Sequence, residues 1–276
     1  MLNTTLNCKG KLLDLSKPKV MGILNLTPDS FYDGGRYFAN TNDALRQTEQ
    51  MLSAGAAMID IGGMSSRPGA KLISVEEELQ RVLPTIESIH KKFPQAILSI
   101  DTVRSEVARQ AVAAGASIIN DISAGNFDEK LLETVADLQV PYILMHLKGK
   151  PETMQDEPIY ENIVQEMVAF FQEKLTKINT LGIRDVVIDM GFGFGKTLEH
   201  NYEILRQLQD FQLFDLPILV GISRKSMIYK HLNVKPVDAL NGTTALHTFA
   251  LLKGCQILRV HDVKEAVEVV KLVEML

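Results

Sequence analysis

Residues 189–197 read D-M-G-F-G-F-G-K-T, and this stretch looks like a loop that binds nucleotide phosphates. A phosphate-binding P-loop needs a glycine, four further residues and then Gly-Lys-Ser/Thr, because successive backbone N–H groups wrap around one phosphate. Counting back from Gly195 places Met190 where the first glycine must stand. The stretch is one residue too short for a P-loop, so a glycine-rich turn directly after Asp189 must serve another purpose.

Two later segments each carry a pair of polar side chains at positions i and i+2. These are Ser223 with Lys225, and Arg259 with His261. In extended backbone such a pair points to one face, so each segment is expected to present both side chains together. Three of the four are cationic types, which favours binding of an anion such as phosphate or diphosphate. A belt of ion pairs with nearby aspartates is the alternative interpretation.

Eight short runs of apolar or β-branched residues predict the strands that position these groups. They cover residues 20–24, 58–61, 96–100, 117–120, 142–145, 186–189, 218–221 and 257–260. The runs are apolar throughout, which is typical of parallel strands buried on both faces. Amphipathic helical patterns separate them, and four of these end in a glycine suited to a helix C-cap, namely Gly55, Gly115, Gly182 and Gly254.

Eight strand-then-helix units in one chain predict an α/β fold, a single (β/α)8 TIM barrel. A doubly wound sheet is the alternative, although it more often has five or six strands. Residues 1–17 predict a short N-terminal hairpin that turns at Lys9 and Gly10 and closes the bottom of the barrel. Because no linker, repeat or low-complexity tract interrupts the pattern, we expect one domain over residues 1–276.

Polar residues gather at the end of each of the eight predicted strands. They are Asn25, Thr27, Asp29, Ser30, Asp60, Asp101, Thr102, Asn120, Asp121, His146, Asp189, Ser223, Arg224, Lys225, Arg259, His261 and Asp262. In a TIM barrel all these positions lie at the C-terminal rim, where barrel enzymes have their active sites. For Asp60, Asp121 and Asp262 a structural role, capping the next helix or pairing with an arginine, is the stronger interpretation.

Two loops are long for a barrel, at residues 25–41 and 62–74. Both are rich in Gly, Pro, Ser and Asp. Long loops after barrel strands usually act as lids or substrate clamps, and a surface excursion is the alternative.

Composition excludes several classes of protein. The 276 residues include 29 Lys and Arg against 34 Asp and Glu, for a net charge of −5, and no segment is strongly basic. Nucleic acid and anionic membrane surfaces are therefore not expected partners. Cys8 and Cys255 form no metal-binding or disulfide pattern. No stretch approaches the roughly 20 apolar residues of a membrane span, and no apolar secretory run is present, so we expect a cytoplasmic protein.

Eight motifs in the chain occur in the same order in a known family. They are MGILNLTPDSFYDGG, IDIGGMSSRPGA, SIDT, INDIS, LMHLKGKPETMQ, DMGFGFGKT, GISRKSMI and LRVHDV. In these segments the sequence resembles the dihydropteroate synthases, pterin-binding barrel enzymes of the folate pathway that sulfonamides inhibit. The resemblance runs from about residue 17 to residue 276.

The resemblance implies a reaction and a set of site residues. The family joins 6-hydroxymethyl-7,8-dihydropterin diphosphate to 4-aminobenzoate and releases diphosphate, with Mg²⁺ as cofactor, usually as a homodimer formed through helices late in the barrel. The residues implied for the pterin are Asp101, Asn120, Met145, Asp189 and Lys225. Those implied for the diphosphate are Asn25, Ser66, Arg67, Arg259 and His261, and Asn25 would also hold the metal. Those implied for 4-aminobenzoate are Phe31, Ser66, Arg67, Pro68, Phe194, Ser223 and Lys225. Asn25, Arg67, Lys225, Arg259 and His261 would carry the catalysis.

Two other functions are weighed against this one. A methyltransferase of the same pterin-binding barrel group would share the aspartate and asparagine contacts, but would have no use for a diphosphate cluster at Arg67, Arg259 and His261. A non-catalytic pterin-binding relative that serves as a partner subunit is expected to lose loop residues that this chain keeps.

The chain departs from the commoner family pattern at three positions, all within the motifs. Ser66 stands where threonine is usual, Met64 where a polar residue is usual, and Met190 where proline is usual. None of the three removes a chemical group that the reaction needs.

Overall fold

The computed structural model describes residues 4–27, 41–65, 73–149 and 158–276. Its centre is a closed barrel of eight parallel strands, in which each strand pairs with the next along the chain and the last pairs with the first. The strands are β3 (Lys19–Asn25), β4 (Met58–Gly62), β5 (Ile97–Asp101), β6 (Ile118–Asp121), β7 (Tyr142–Met145), β8 (Val186–Asp189), β9 (Ile218–Val220) and β10 (Ile257–Val260). The predicted (β/α)8 barrel is confirmed.

Helices connect the strands and pack outside the barrel. They are α1 (Thr41–Ser53), α2 (Val75–Lys92), α3 (Ser105–Ala114), α4 (Leu131–Leu138), α5 (Ile163–Thr180), α6 (Leu198–Arg206), α7 (Ser226–Tyr229), α8 (Leu240–Leu252) and α9 (Val263–Val273). Short 3₁₀ helices add Leu208–Phe214 and Pro236–Asp238. Among the helices of the described ranges, none combines the length and apolar character needed to cross a membrane.

The predicted strand positions agree with the observed strands to within one residue at each end. The runs 142–145, 186–189 and 257–260 match β7, β8 and β10 at both ends. All four predicted C-cap glycines have positive φ, between 79° for Gly182 and 126° for Gly115. An L side chain is disfavoured there, which explains why glycine ends these helices before the chain enters the next strand.

Successive side chains along each strand point alternately to the outer apolar core and to the barrel interior, which holds the polar site residues at its mouth. On β4, Ile59 and Ile61 pack outward into the large core between barrel and helices, whereas Met58 and Asp60 face the barrel interior. The same period of two holds on β8, where Val187 lies in the interior bottom layer and Asp189 is the next inward residue toward the mouth. The interior is therefore apolar at its N-terminal end and polar at its C-terminal mouth.

The N-terminal hairpin covers the apolar end of the barrel. Its strands β1 (Thr5–Cys8) and β2 (Lys11–Asp14) are antiparallel and join at Lys9 and Gly10, both with positive φ. One face of the hairpin is buried against the bottom layer of the barrel interior, to which each of the eight barrel strands contributes one residue. The predicted hairpin and its position at the barrel bottom are confirmed.

We expect Leu6→Ala to lower the free energy of unfolding by about 2–5 kcal/mol, because it leaves a cavity where the hairpin meets the barrel. Leu6 is fully buried, whereas Leu12 on the same hairpin is 73% exposed. Leu12→Ala is therefore the matched control, with an expected change within about 0.5 kcal/mol. Urea denaturation monitored by circular dichroism measures both. Equal effects of the two substitutions would contradict a closing role for the hairpin.

Candidate active site

Four polar side chains from four strands meet in the barrel mouth. Arg259 on β10 donates from Nε to Asp60 Oδ2 at 2.6 Å and from Nη2 to Asp101 Oδ2 at 2.9 Å. Asn120 on β6 donates from Nδ2 to the same Asp60 oxygen at 2.9 Å. Asp60 and Asn120 are buried. The guanidinium is therefore fixed between two carboxylates at the centre of the mouth.

Burial and charge shift the proton affinities of this group. Burial raises the pKa of Asp101 to about 7, against the opposing effect of Arg259. Burial works to lower the pKa of Arg259, but Asp60 and Asp101 raise it overall, so the guanidinium stays charged. Near neutral pH, Asp101 can therefore gain or lose a proton, whereas Arg259 keeps its positive charge.

Two oxygens of this network are buried without a donor among the described residues. They are Asp60 Oδ1 and Asn120 Oδ1. Leaving such an acceptor unsatisfied costs about 1–3 kcal/mol, so a ligand that presents N–H donors here would relieve a cost that the protein carries.

Asp189 and Lys225 form the second charged part of the mouth. Burial raises the pKa of Asp189, and the nearby Lys225 opposes this. Burial lowers the pKa of Lys225 to about 8, with Asp189 acting in the opposite sense. Lys225 Nζ donates to the carbonyl of Phe192 at 2.6 Å and lies 4.7 Å from the ring centroid of Phe194. The glycine-rich turn therefore contacts Lys225 directly.

This turn, residues 191–195, has a left-handed backbone at three glycines, two of which lie too close to a neighbouring backbone to carry a side chain. Gly191, Gly193 and Gly195 have φ of 62°, 82° and 60°. A Cβ on Gly191 would lie 2.0 Å from the His146 carbonyl oxygen, and a Cβ on Gly195 would lie 2.3 Å from that of Lys148. The glycines therefore allow the loop after β8 to pack backbone against backbone on the loop after β7.

A partly buried ion pair connects the loops after β9 and β10. Arg224 binds both carboxylate oxygens of Asp262, from Nε at 2.6 Å and from Nη2 at 2.9 Å. Next to it, the backbone N–H of His261 donates to Ser223 Oγ at 3.2 Å. Arg224 itself has φ of 53°. Ser223 and Lys225 therefore flank a turn and not an extended segment, so the expectation that they share a face as i and i+2 residues of extended backbone is wrong.

The structure brings most of the predicted site residues to one mouth. Those within the described ranges are Asn25, Asp101, Asn120, Met145, Asp189, Phe194, Ser223, Lys225, Arg259 and His261. Register places Asn25 beside Gly62, and Gly62 beside Asp101. Phe31, Ser66, Arg67 and Pro68 lie outside the described residues.

The structure shows the contacts of Asp60, Asp121 and Asp262, the three aspartates for which a structural role was the stronger interpretation. Asp60 and Asp262 pair with Arg259 and Arg224, as the structural interpretation predicts. Asp121 accepts hydrogen bonds from the backbone of Ser123 and from the buried Tyr142 hydroxyl, and so shapes the loop after β6. Arg259 therefore takes part in ion pairs within the mouth.

The sequence analysis placed His146 among the polar rim residues but did not predict that it is buried together with Lys196. The ammonium of Lys196 binds the ring and backbone of His146 and two carbonyls of its own loop, and both side chains are almost fully buried. Lysine is rarely buried, so a glycine-flanked lysine reads as a surface or phosphate-binding residue. Only the loop packing reveals the acceptors that hold it.

The departures at Met64 and Met190 fall in apolar surroundings. Met64 packs with Met145, Ile122 and Leu147 at the edge of the mouth, and Met190 is fully buried in the main core.

Among the described residues, no group of three or more His, Cys, Asp or Glu side chains could hold a metal ion.

Comparison with known proteins agrees with this geometry. The model of the family described as "pterin binding enzyme" matches residues 21–261. Dihydropteroate synthase of Escherichia coli K12 is 47% identical over 268 residues, which cover 96% of this chain and 94% of that protein. The chain belongs to this family.

Solved structures of family members have the same fold. The dihydropteroate synthase of Yersinia pestis, solved as a sulfonamide drug complex, superimposes with a TM-score of 0.95 at 45% identity, covering 98% of each chain. That of Xanthomonas albilineans, solved with 4-aminobenzoic acid, gives a TM-score of 0.91 at 40% identity, covering 99% of this chain and 97% of that one.

Proposed function

We propose that this family member condenses 6-hydroxymethyl-7,8-dihydropterin diphosphate with 4-aminobenzoate to 7,8-dihydropteroate and diphosphate, in folate biosynthesis. The observation that carries the proposal is the convergence of Asp101, Asn120, Asp189, Lys225 and Arg259 in one barrel mouth. These groups supply the acceptors and cations that a pterin and its anionic leaving group require.

The pterin would bind deepest, among the buried acceptors. Its ring N–H and exocyclic NH₂ form a fork of two donors that suits the carboxylate of Asp189, and Asn120 Oδ1 is a buried acceptor that lacks a donor within the described ranges. Met145 belongs to an apolar cluster at the mouth that fits the flat face of the ring. Lys225 would donate to the ring carbonyl and a ring nitrogen.

The diphosphate would be held by cations at the rim, with Arg259 and His261 from the end of β10 and Ser66 and Arg67 from the loop after β4. In the structure Arg259 binds Asp101, whose pKa is about 7. Uptake of a proton by Asp101 weakens that ion pair and leaves the guanidinium able to bind an arriving diphosphate. The diphosphate of the substrate would then replace the Asp101 carboxylate as an anion bound to Arg259.

Mg²⁺ fits beside this diphosphate site through Asn25. A Cβ on Gly62 would lie 3.7 Å from Asn25 Oδ1 and 3.6 Å from Asp101 Cβ, so the amide oxygen lies at the rim next to the acidic network. Magnesium commonly takes one or two protein oxygens and completes its shell with water and phosphate oxygens. When bound, it would stabilise the negative charge of the leaving diphosphate.

The arylamine would be bound by Phe31, Ser66, Arg67, Pro68, Phe194, Ser223 and Lys225. An aniline nitrogen is uncharged at neutral pH and already nucleophilic, so no general base is assigned. The reaction replaces the bond from the pterin methylene carbon to diphosphate oxygen by a bond to the amine nitrogen, which then loses a proton. Cations around the diphosphate lower the barrier by stabilising the charge that develops on it.

Diphosphate release tests this proposal first. With pterin diphosphate, 4-aminobenzoate and Mg²⁺, we expect release that requires the arylamine, stops on chelation of the metal, and falls at least about 100-fold in Arg259→Ala, since a positioned cation contributes that much. Arg46→Ala, on the surface of α1, is the control and should retain full rate. Circular dichroism checks that both variants fold.

Each other outcome of that assay has a definite meaning. Pterin binding without diphosphate release would indicate a non-catalytic pterin-binding relative. Failure to bind the pterin at all would show that the pocket around Asp189 is wrongly assigned.

The rate should also depend on the protonation of Lys225. Because its pKa is lowered to about 8, the ammonium loses its proton as pH rises through that value. We expect kcat/KM for the pterin diphosphate to decline above pH 8, about tenfold per pH unit at the alkaline end. Lys225→Arg, which stays charged, should be less active but lack this decline. A wild-type profile that is flat to pH 9.5 would contradict a charged Lys225 in the reaction.

We further infer that the protein acts in the cytoplasm as a single domain and a homodimer, formed through α8. This helix exposes Phe249 and Leu252. Light scattering should give twice the chain mass of 30.7 kDa, and Phe249→Lys should halve it. Leu272→Lys changes an apolar side chain that is more exposed than Phe249 but lies on α9, and it should leave the mass unchanged. A monomer mass at all protein concentrations would refute the dimer.

A further inference from the structure

Lys196 occupies a buried cage made by two loops. Its Nζ atom lies 2.9 Å from the Gly191 carbonyl and 3.0 Å from that of Phe194, both on the loop after β8. From the loop after β7, His146 contributes its ring Nδ1 at 2.9 Å and its carbonyl at 3.1 Å. The side chain is 2% exposed. All the donors of this ammonium are therefore used inside the protein.

We propose that Lys196 is a positioning residue of the arylamine subsite, holding the loop at residues 191–195 so that Phe194 and the Phe192 carbonyl lie beside Lys225. This inference rests on the proposed function. Lys196 itself touches none of the substrates in the arrangement proposed above, because its ammonium faces the loop backbone.

The loop has little regular structure of its own to keep this shape. Its backbone alternates through three left-handed glycines, and a turn hydrogen bond joins Phe194 N to Gly191 O at 3.0 Å. Two ammonium groups bind its carbonyls: Lys196 on the side of the β7 loop and Lys225 on the side of the mouth. Lys225 is also assigned to substrate, whereas the contacts of Lys196 are with the two loops, so Lys196 is the ammonium dedicated to holding the loop.

The backbone of Lys196 is itself fixed. Thr197 caps α6 by accepting from His200 N at 3.2 Å, and Asn201 on the same helix accepts from Gly193 N at 2.7 Å. The lysine therefore reaches back from a rigid helix start to the loop that precedes it. Burial lowers the pKa of Lys196 well below its usual value, with Asp189 opposing this, so keeping a lysine here carries a cost that a purely apolar core position would avoid.

The pterin anchors depend less on this contact than the arylamine contacts do. Asp189 and Met145 are paired in the sheet between β7 and β8, so their backbone is held by the strands, and the loop adds one donor, Gly191 N to Asp189 Oδ1 at 2.8 Å. Phe192 and Phe194 lie on the loop itself. Loss of the Lys196 contacts should therefore act mainly on the second substrate.

The test compares Lys196→Met with wild type. The substitution keeps a flexible, unbranched side chain only one atom shorter than lysine and removes the ammonium donors to the carbonyls of Gly191 and Phe194. We expect KM for 4-aminobenzoate to rise about tenfold or more, with KM for the pterin diphosphate within about threefold of wild type. Lys9→Met is the matched control, because Lys9 also donates to a backbone carbonyl, that of Val112 at 2.9 Å, but at the barrel bottom. It should leave both KM values unchanged.

A second pair of variants keeps the test decisive if Lys196→Met does not fold. His146→Phe removes the Nδ1 acceptor and keeps a ring against Phe170, whereas His146→Asn offers an acceptor close to the Nδ1 position. We expect a raised arylamine KM in the first and a value near wild type in the second.

The outcomes separate the two proposals. Wild-type turnover decides the proposed reaction by itself. If wild type is active and Lys196→Met, or failing that His146→Phe, keeps its arylamine KM within twofold, Lys196 is merely structural and the inference is overturned. An equal rise in both substrates' KM values would also overturn it.

Discussion

The buried pairing of Arg259 with Asp60 and Asp101 is the interaction on which the barrel mouth depends. Three charges lie where water is largely excluded, and an unpaired charge there would cost several kcal/mol. Because Asp60 binds Arg259 and Asn120 through one oxygen, and Arg259 also binds Asp101, strands β4, β5, β6 and β10 are tied together across the mouth. The network also leaves two acceptor oxygens without donors among the described residues, so it is stable but not complete.

Apolar packing in the rest of the barrel offsets the energetic cost of these charges. The outward faces of the strands and the bottom of the interior are apolar, and the hairpin closes that end. Hydrophobic burial there stabilises the fold enough to hold carboxylates and lysines with shifted pKa values at the other end. Burial raises the pKa of Asp101 and lowers that of Lys225. Both pKa values therefore lie close to neutral pH, where a small change in the surrounding charge alters the protonation of either group.

The glycine-rich loop shows how a sequence resemblance to a phosphate loop arises from a different physical need. In a P-loop, glycines turn backbone N–H groups toward a phosphate. Here they turn carbonyl oxygens toward two lysines and let two loops touch through their backbones. The lysine that follows the glycines therefore acts as a donor to the protein's own chain.

Periodicity and local chemistry in the sequence alone determined the fold and the location of the site. Apolar runs such as 186–189 identified the strands, terminal glycines such as Gly115 marked helix ends, and the polar residue after each strand indicated one rim, since all these signals are local. Ordered motifs then indicated the family. What only the tertiary structure decided was which charges meet: that Arg259 joins Asp60 and Asp101, that Arg224 joins Asp262 through a turn, and that Lys196 is buried. Such contacts link residues up to 199 positions apart, as between Asp60 and Arg259. Side-chain partners at that separation follow from barrel closure and loop packing, which no local pattern of residues encodes.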